Sequence, residues 1–177
     1  TFKLDSMQGQ DEVDRLVASW THERPDLDVE PLHILSRVTR LARHLDIARR
    51  EAFAAHDLET GEFDVLAALR RSGNPYVLSP SALLSQTLVT SGTMTNRIDR
   101  LESKGLVERL PDPNDGRGVL VKLTSAGKKS VDLALTDLLQ REQILLNSVS
   151  KAQQESLVKV LRDIVMPLDL GTEISDE

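Results

Sequence analysis

Between Ser79 and Thr124 the chain reads SPSALLSQTLVTSGTMTNRIDRLESKGLVERLPDPNDGRGVLVKLT, and few folds accommodate that order of signals. Ser79-Pro80 is a cap followed by a first-turn proline, which starts a short helix to about Gln86. Thr90 or Ser91 opens a second, longer helix, and Gly105 closes it as the residue best able to take a left-handed turn. Val107 to Leu110 and Gly118 to Thr124 then alternate apolar with polar around the turn-rich DPNDG, the pattern of a two-stranded hairpin. Two helices joined by a tight turn and followed by a ribbon make a winged helix-turn-helix. That arrangement predicts double-stranded DNA as the partner.

The second helix divides cleanly at 100° per residue. Met94, Ile98, Leu101 and Gly105 fall on one side, and Thr93, Asn96 and Arg100 on the other. The apolar side fixes the helix to its domain; the polar side is free to enter a major groove. Thr and Asn donate and accept toward base edges, Asn suits adenine, and Arg reaches guanine or phosphate. Thr93, Asn96 and Arg100 are therefore the expected major-groove residues, and Ser91, at the start of the helix, is expected to contact DNA as well. Arg97 lies on the flank, about 100° from the apolar centre, and is placed to turn inward. Arg117, near the hairpin tip, suits a narrow minor groove, or an ion pair with Asp112 or Asp115 that shapes the tip. The two are compatible.

Around this segment the chain is helical. Asp11 to Thr21 carries Val13, Leu16, Val17 and Trp20 on one side, and ERPDLDVEP breaks it. A long helix follows from Pro31 to about His56, with Leu35, Val38, Leu41, Leu45, Ala48 and Ala52 as its stripe. Thr60 is positioned to cap a helix over Gly61 to Arg71. Beyond Thr124 a helix runs to about Asn147 with Val131, Leu135, Leu138 and Leu145 on an apolar side. Ser150 and Gln153 then form a capping-box pattern for a last helix that Met166-Pro167 is expected to end. The fold expected is mainly α with a small β-wing. The long amphipathic helices at both ends offer more apolar face than one winged domain can cover, so a second copy of the chain is the expected cover.

The net charge of −6 looks unsuited to DNA until it is divided. Residues 1–78, 79–124 and 125–177 carry −4, +1 and −3, so the reading segment alone is positive. Contact depends on local charge, and the acidic flanks predict weak nonspecific affinity. The chain has no cysteine, which excludes disulfides, thiolate metal sites and thiol redox sensing. No apolar run approaches the roughly 18 residues of a membrane span, and no signal segment opens the chain, so a cytoplasmic location is expected. No nucleophile elbow, P-loop or dinucleotide fingerprint is present, and neither an enzyme nor a cofactor is expected. His22, His33 and His44 recur every 11 residues. Along one helix that interval spans about 16 Å, so His33 and His44 cannot share an ion within one subunit; exposed or capping histidines are expected, with a metal site through a dimer as the alternative.

The run TNRIDRLESKGLVER, followed by DPNDGRGVLVKLT with the D-x-R-G signature at Asp115, Arg117 and Gly118, resembles the MarR family of winged-helix transcription regulators over about residues 31–166. Gly116 stands where many members carry a second arginine, which implies weaker wing contacts. The resemblance implies a homodimer joined through N- and C-terminal helices. It also implies binding to a palindromic operator, repression of a nearby gene, and release by a small ligand. A narrower similarity, carried by the helix bearing Trp20, by ERPDLD and by EFDVLAALRRSG, is to the urate-responsive branch of that family. It implies that Trp20, Asp64, Arg97 and Arg109 bind a small anionic effector and relay its arrival. Asp64 also lies close to the apolar side of its helix, where an unpaired carboxylate is costly, and flank residue Arg97 is its natural partner. A purely structural Asp64–Arg97 pair, with Trp20 as packing, is the competing reading. Urate or a related purine leads, a tricarboxylate stands behind it, and a phenolic compound or metal ion defines the alternative class. Three regions follow: 11–56 for the pocket and dimerisation, 57–124 for DNA, and 125–177 for further dimerisation.

Overall fold

The computed structural model describes residues 9–87, 90–113 and 115–170, with backbone alone at Gly116 and Arg117. The chain divides into two compact units, Thr1–Glu51 and Ala52–Glu177.

In the first unit, α1 (Glu12–Glu23) begins at a reciprocal cap. The Asp11 carboxylate accepts from the backbone N–H of Val13 (2.8 Å) and Asp14 (3.1 Å), and the Asp14 carboxylate accepts from Asp11 N–H (2.9 Å). This satisfies donors that a helix start otherwise leaves orphaned. Val13 and Val17, one turn apart, are buried, whereas Leu16 and Trp20 are exposed. From α2 (Pro31–Ala54), Arg37 grips both capping carboxylates at 2.8–3.0 Å, and Arg40 reaches Glu12 at 3.0 Å. The cap that starts α1 is thus also its tether to α2.

The second unit starts with the last turn of α2, whose Ala52 and Phe53 are fully buried. It continues with α3 (Thr60–Arg71), β1 (Val77–Leu78), α4 (Pro80–Thr87), α5 (Ser91–Ser103), β2 (Val107–Asp112), β3 (Asp115–Leu123), α6 (Ser125–Leu146) and α7 (Lys151–Asp169). The core gathers Phe53, Leu66 and Leu69 with Leu83, Ile98, Leu101, Val121 and Val131, so every element except α7 contributes or packs against it. Phe53 and Phe63 stack at 3.9 Å between ring centroids. The antiparallel sheet has the order β1-β3-β2, with Val77 opposite Lys122 and Arg109 opposite Val121.

Thr90 and Ser150 cap α5 and α7 and Gly105 takes φ +70°, as the sequence suggests, and Thr124 caps α6. Three details differ. The N-cap of α3 is Glu59 rather than Thr60, because Glu62 reaches back to Glu59 N–H at 2.9 Å. Pro167 lies inside α7, which continues to Asp169; so close to the end, a missing N–H and a ring clash disturb only one turn. A third strand, β1, escapes the sequence reading since two residues carry no alternation. Among the described residues, no helix is long and apolar enough to cross a membrane.

Candidate nucleic-acid interface

The reading helix α5 is held from beneath and open above. Met94, Ile98 and Leu101 are at most 2% exposed, and Thr93, Asn96 and Arg100 stand exposed on the opposite side. Ser91, in the first turn, is also exposed, and its carbonyl accepts from the Thr95 hydroxyl at 3.1 Å. Thr93 exchanges a hydroxyl contact with the cap residue Thr90 at 3.0 Å. The turn residues 88 and 89 lie outside the described residues, as does Asn114 at the wing tip. Arg117 sits on β3, in the wing hairpin, and its expected minor-groove role falls on a side chain outside what is described. Gly118 has a physical reason to be glycine: a Cβ there would meet the Asp112 and Asp115 Cβ atoms at 2.9 and 3.0 Å. The wing root is braced by a cross-strand pair, Lys122 to Glu108 at 2.9 Å.

What the sequence reading missed is how α5 is fastened. Glu62, on α3, is the single buried charged side chain among the described residues, 1% exposed. Its Oε2 accepts from Lys104 Nζ at 3.0 Å, just past the end of α5, as well as from Glu59 N–H. Lys104 also donates to the Asp57 carbonyl at 2.6 Å. Burial opposes the Lys104 charge, but the Glu62 and Asp57 partners outweigh it and hold the ammonium above its usual range. One turn earlier, Arg100 donates to Glu59 at 2.6 Å. Glu59 and Glu62 are spaced i, i+3 and their partners Arg100 and Lys104 i, i+4; those spacings are visible in sequence, but the pairing across more than 40 residues is not.

Of the four residues expected at an effector site, three lie in the second unit. Asp64 is half-buried on α3. Arg97 is half-buried and turned inward, its guanidinium lying directly over Gly61 of α3, so close that a Cβ there would sit 2.3 Å from Cζ. Its Nη1 is buried without a hydrogen-bond partner. Arg109 of β2 is held by two carboxylates of α5: Asp99 at 2.5 Å and Glu102, which also accepts from Arg109 N–H at 3.1 Å. Partial burial opposes its charge, yet those carboxylates keep it more basic than usual. Trp20 belongs to the first unit, on α1, about half exposed. Among the described residues, no group of three His, Asp or Glu side chains could hold a metal ion.

Comparison with known proteins gives this geometry a context. A model of the MarR family matches residues 56–118, from just after α2 into β3 of the wing. The transcriptional regulator PecS of Dickeya dadantii is 35% identical over 150 residues, covering 85% of this chain and 90% of that protein. Among solved structures, a mutant MarR from E. coli complexed with operator DNA is 31% identical at a TM-score of 0.64, covering 78% of this chain and 99% of that one. Bordetella bronchiseptica BpsR, described as regulated in its DNA binding by 6-hydroxynicotinic acid, is 25% identical at a TM-score of 0.62, over 74% and 91% of the two chains.

Proposed function

The chain belongs to the MarR family of DNA-binding transcriptional regulators, and from that premise we propose that it is a homodimeric repressor, released from a palindromic operator by a small anionic ligand. The observation that carries the DNA half is the two-sided α5: three apolar residues locked in the core, with Thr93, Asn96 and Arg100 presented outward. Ser91, in the first turn of α5, is a further DNA contact, and Arg117 takes the adjacent minor groove. Dimerisation is supported by the bare apolar surface of α6 and α7. α7 buries no residue, and Leu161, Ile164, Val165 and Leu168 are all at least 37% exposed. An apolar face of that extent calls for a partner, and a second copy satisfies it with two-fold symmetry matching a palindrome.

For the effector, the supporting observation is the orphaned Arg97 Nη1. A buried cationic donor without an acceptor is costly, and an anionic ligand oxygen would satisfy it. The ligand named for BpsR, 6-hydroxynicotinic acid, is a pyridine carboxylic acid; it shares with urate only a planar nitrogen ring and a negative charge. In this reading Asp64, Arg97 and Arg109 bind the anion, and movement of Arg97 shifts α5, spoiling the fixed spacing of paired half-sites. A second reading, favoured by the Asp99 and Glu102 carboxylates already on Arg109, makes that arginine a tether for the wing root.

Gel shift on the duplex upstream of the protein's own gene, titrated with urate, xanthine, 6-hydroxynicotinate, citrate and zinc, tests both halves. The expected result is a dimer–duplex complex that an anion dissolves in the native protein but not in Arg109→Ala. A monomer, or no complex in dilute buffer, refutes the regulator. Unchanged release from Arg109→Ala removes Arg109 from the pocket and leaves it a tether.

A further inference from the structure

We infer that Glu59 is a built-in competitor for the reading helix, its carboxylate standing where a DNA phosphate oxygen would otherwise engage Arg100. The inference rests on the DNA-binding reading above and adds a residue that lowers affinity. Glu59 and Arg100 meet at 2.6 Å, and both side chains are more than half exposed (69% and 57%), so the pair lies on the surface that DNA must approach. Glu59 lines a cleft of about 260 Å³ together with Thr93, Asn96, Arg97 and Arg100, the same side of α5 that carries the groove-facing residues. Carboxylate and phosphate present similar oxygens to a guanidinium fork, so each can replace the other on Arg100.

Glu59 does not wander into this position. Its backbone N–H is fixed by Glu62 Oε2 at 2.9 Å, and that same oxygen is anchored by Lys104 at 3.0 Å. The pair of buried Glu62 with Lys104 therefore sets the distance between the first turn of α3 and the end of α5, and Glu59 extends from that fixed turn to Arg100. The two acidic residues differ in kind. Glu62 is enclosed and keeps its cation; Glu59 is solvated and can lose its cation to a stronger anion.

Two consequences are measurable. While paired, Glu59 and Arg100 present no net charge, so Arg100 releases no counterion on binding DNA; with Glu59 neutralised, it releases about one. Where a phosphate displaces it instead, the freed carboxylate repels the incoming phosphates across roughly 6 Å of water, worth a factor of about three or more in affinity. Both effects keep the chain off arbitrary duplex, in line with the excess of acid outside residues 79–124.

Fluorescence anisotropy of a labelled duplex, selected from a random pool by the native protein, tests this in the full chain. The set is native, Glu59→Gln, Glu59→Ala, Arg100→Ala and the double variant Glu59→Gln/Arg100→Ala, each titrated across a salt series. Glu59→Gln should bind about threefold to tenfold tighter, with the slope of log K against log salt steeper by about 0.9. Glu59→Ala should move in the same direction, which keeps the test decisive if one variant melts early. In the Arg100→Ala background the gain should vanish. Equal or weaker binding by both folded variants overturns the inference, and so does an undiminished gain without Arg100. If the native protein selects no duplex at all, the DNA-binding reading itself has failed.

Discussion

Gly127→Ala offers a test in which two elementary effects have opposite signs. Gly127 is the third residue of α6, and it is buried. In a helix, alanine is favoured over glycine by about 1 kcal/mol, so propensity alone forecasts a more stable protein. The packing forecasts the reverse. A Cβ at 127 would lie 2.0 Å from the Leu106 carbonyl oxygen and 2.9 Å from both Leu106 C and Leu123 Cδ1. Backbone cannot swing aside like a side-chain tip, so the start of α6 or the segment after α5 must move by about an ångström. That carbonyl is also the acceptor for Thr124 N–H (3.1 Å) and the Thr124 hydroxyl (3.1 Å). Overpacking of this kind costs about 1–3 kcal/mol, and weakening two hydrogen bonds adds about 1 kcal/mol. Set against the propensity gain, the net loss is about 2 kcal/mol. For a unit of this size it should lower the melting midpoint by roughly 6–10 °C. Thermal unfolding followed by circular dichroism, at matched protein concentration so that dimerisation does not confound it, gives the answer. A midpoint equal to or above that of the native chain would show that α6 is not seated on Leu106 as described.

Two further outcomes follow from the ion pairs. Lys104→Met should cost about 2–3 kcal/mol in urea unfolding, because Glu62 keeps a buried carboxylate without its cation; adding Glu62→Gln should recover part of it, and a loss below about 0.5 kcal/mol would mean that Glu62 is solvated. Acid should loosen α1 from α2: the Arg37 guanidinium holds the Asp11 carboxyl below its ordinary 3.8, so this tether is intact above that value and is lost as pH falls through the depressed one. Trp20, the single tryptophan of the chain, sits on α1 and reports the change; emission that does not alter on acidification, or alters identically in Arg37→Ala, would count against it.

Much of the fold could be read from local chemistry. Thr90, Ser150 and Gly105 act within one turn of themselves, and the alternation of β2 and β3 and the division of α5 follow from periodicity alone. What resisted reading is non-local. Glu62 looks like an ordinary polar position of a first helical turn, and only the approach of Lys104, 42 residues later, makes its burial tolerable. β1 exists only because β3 offers it an edge, and Glu59 displaces Thr60 as cap only because Glu62 reaches back to it. The polar face of α5 was legible, but not that Arg100 already has a carboxylate on it. Likewise Arg109 reads as a free cation near a hairpin until Asp99 and Glu102 are found one turn apart on the neighbouring helix.

Thr124 has a mechanical consequence. One residue closes the start of α6 by accepting from Gly127 N–H at 3.0 Å, while its own hydroxyl and N–H bind the Gly105 and Leu106 carbonyls. Helix, ribbon root and the exit of the reading helix therefore meet at a single rivet without slack. Displacing the first turn of α6 therefore strains hydrogen bonds to residues 105 and 106, the stretch by which the chain leaves the reading helix.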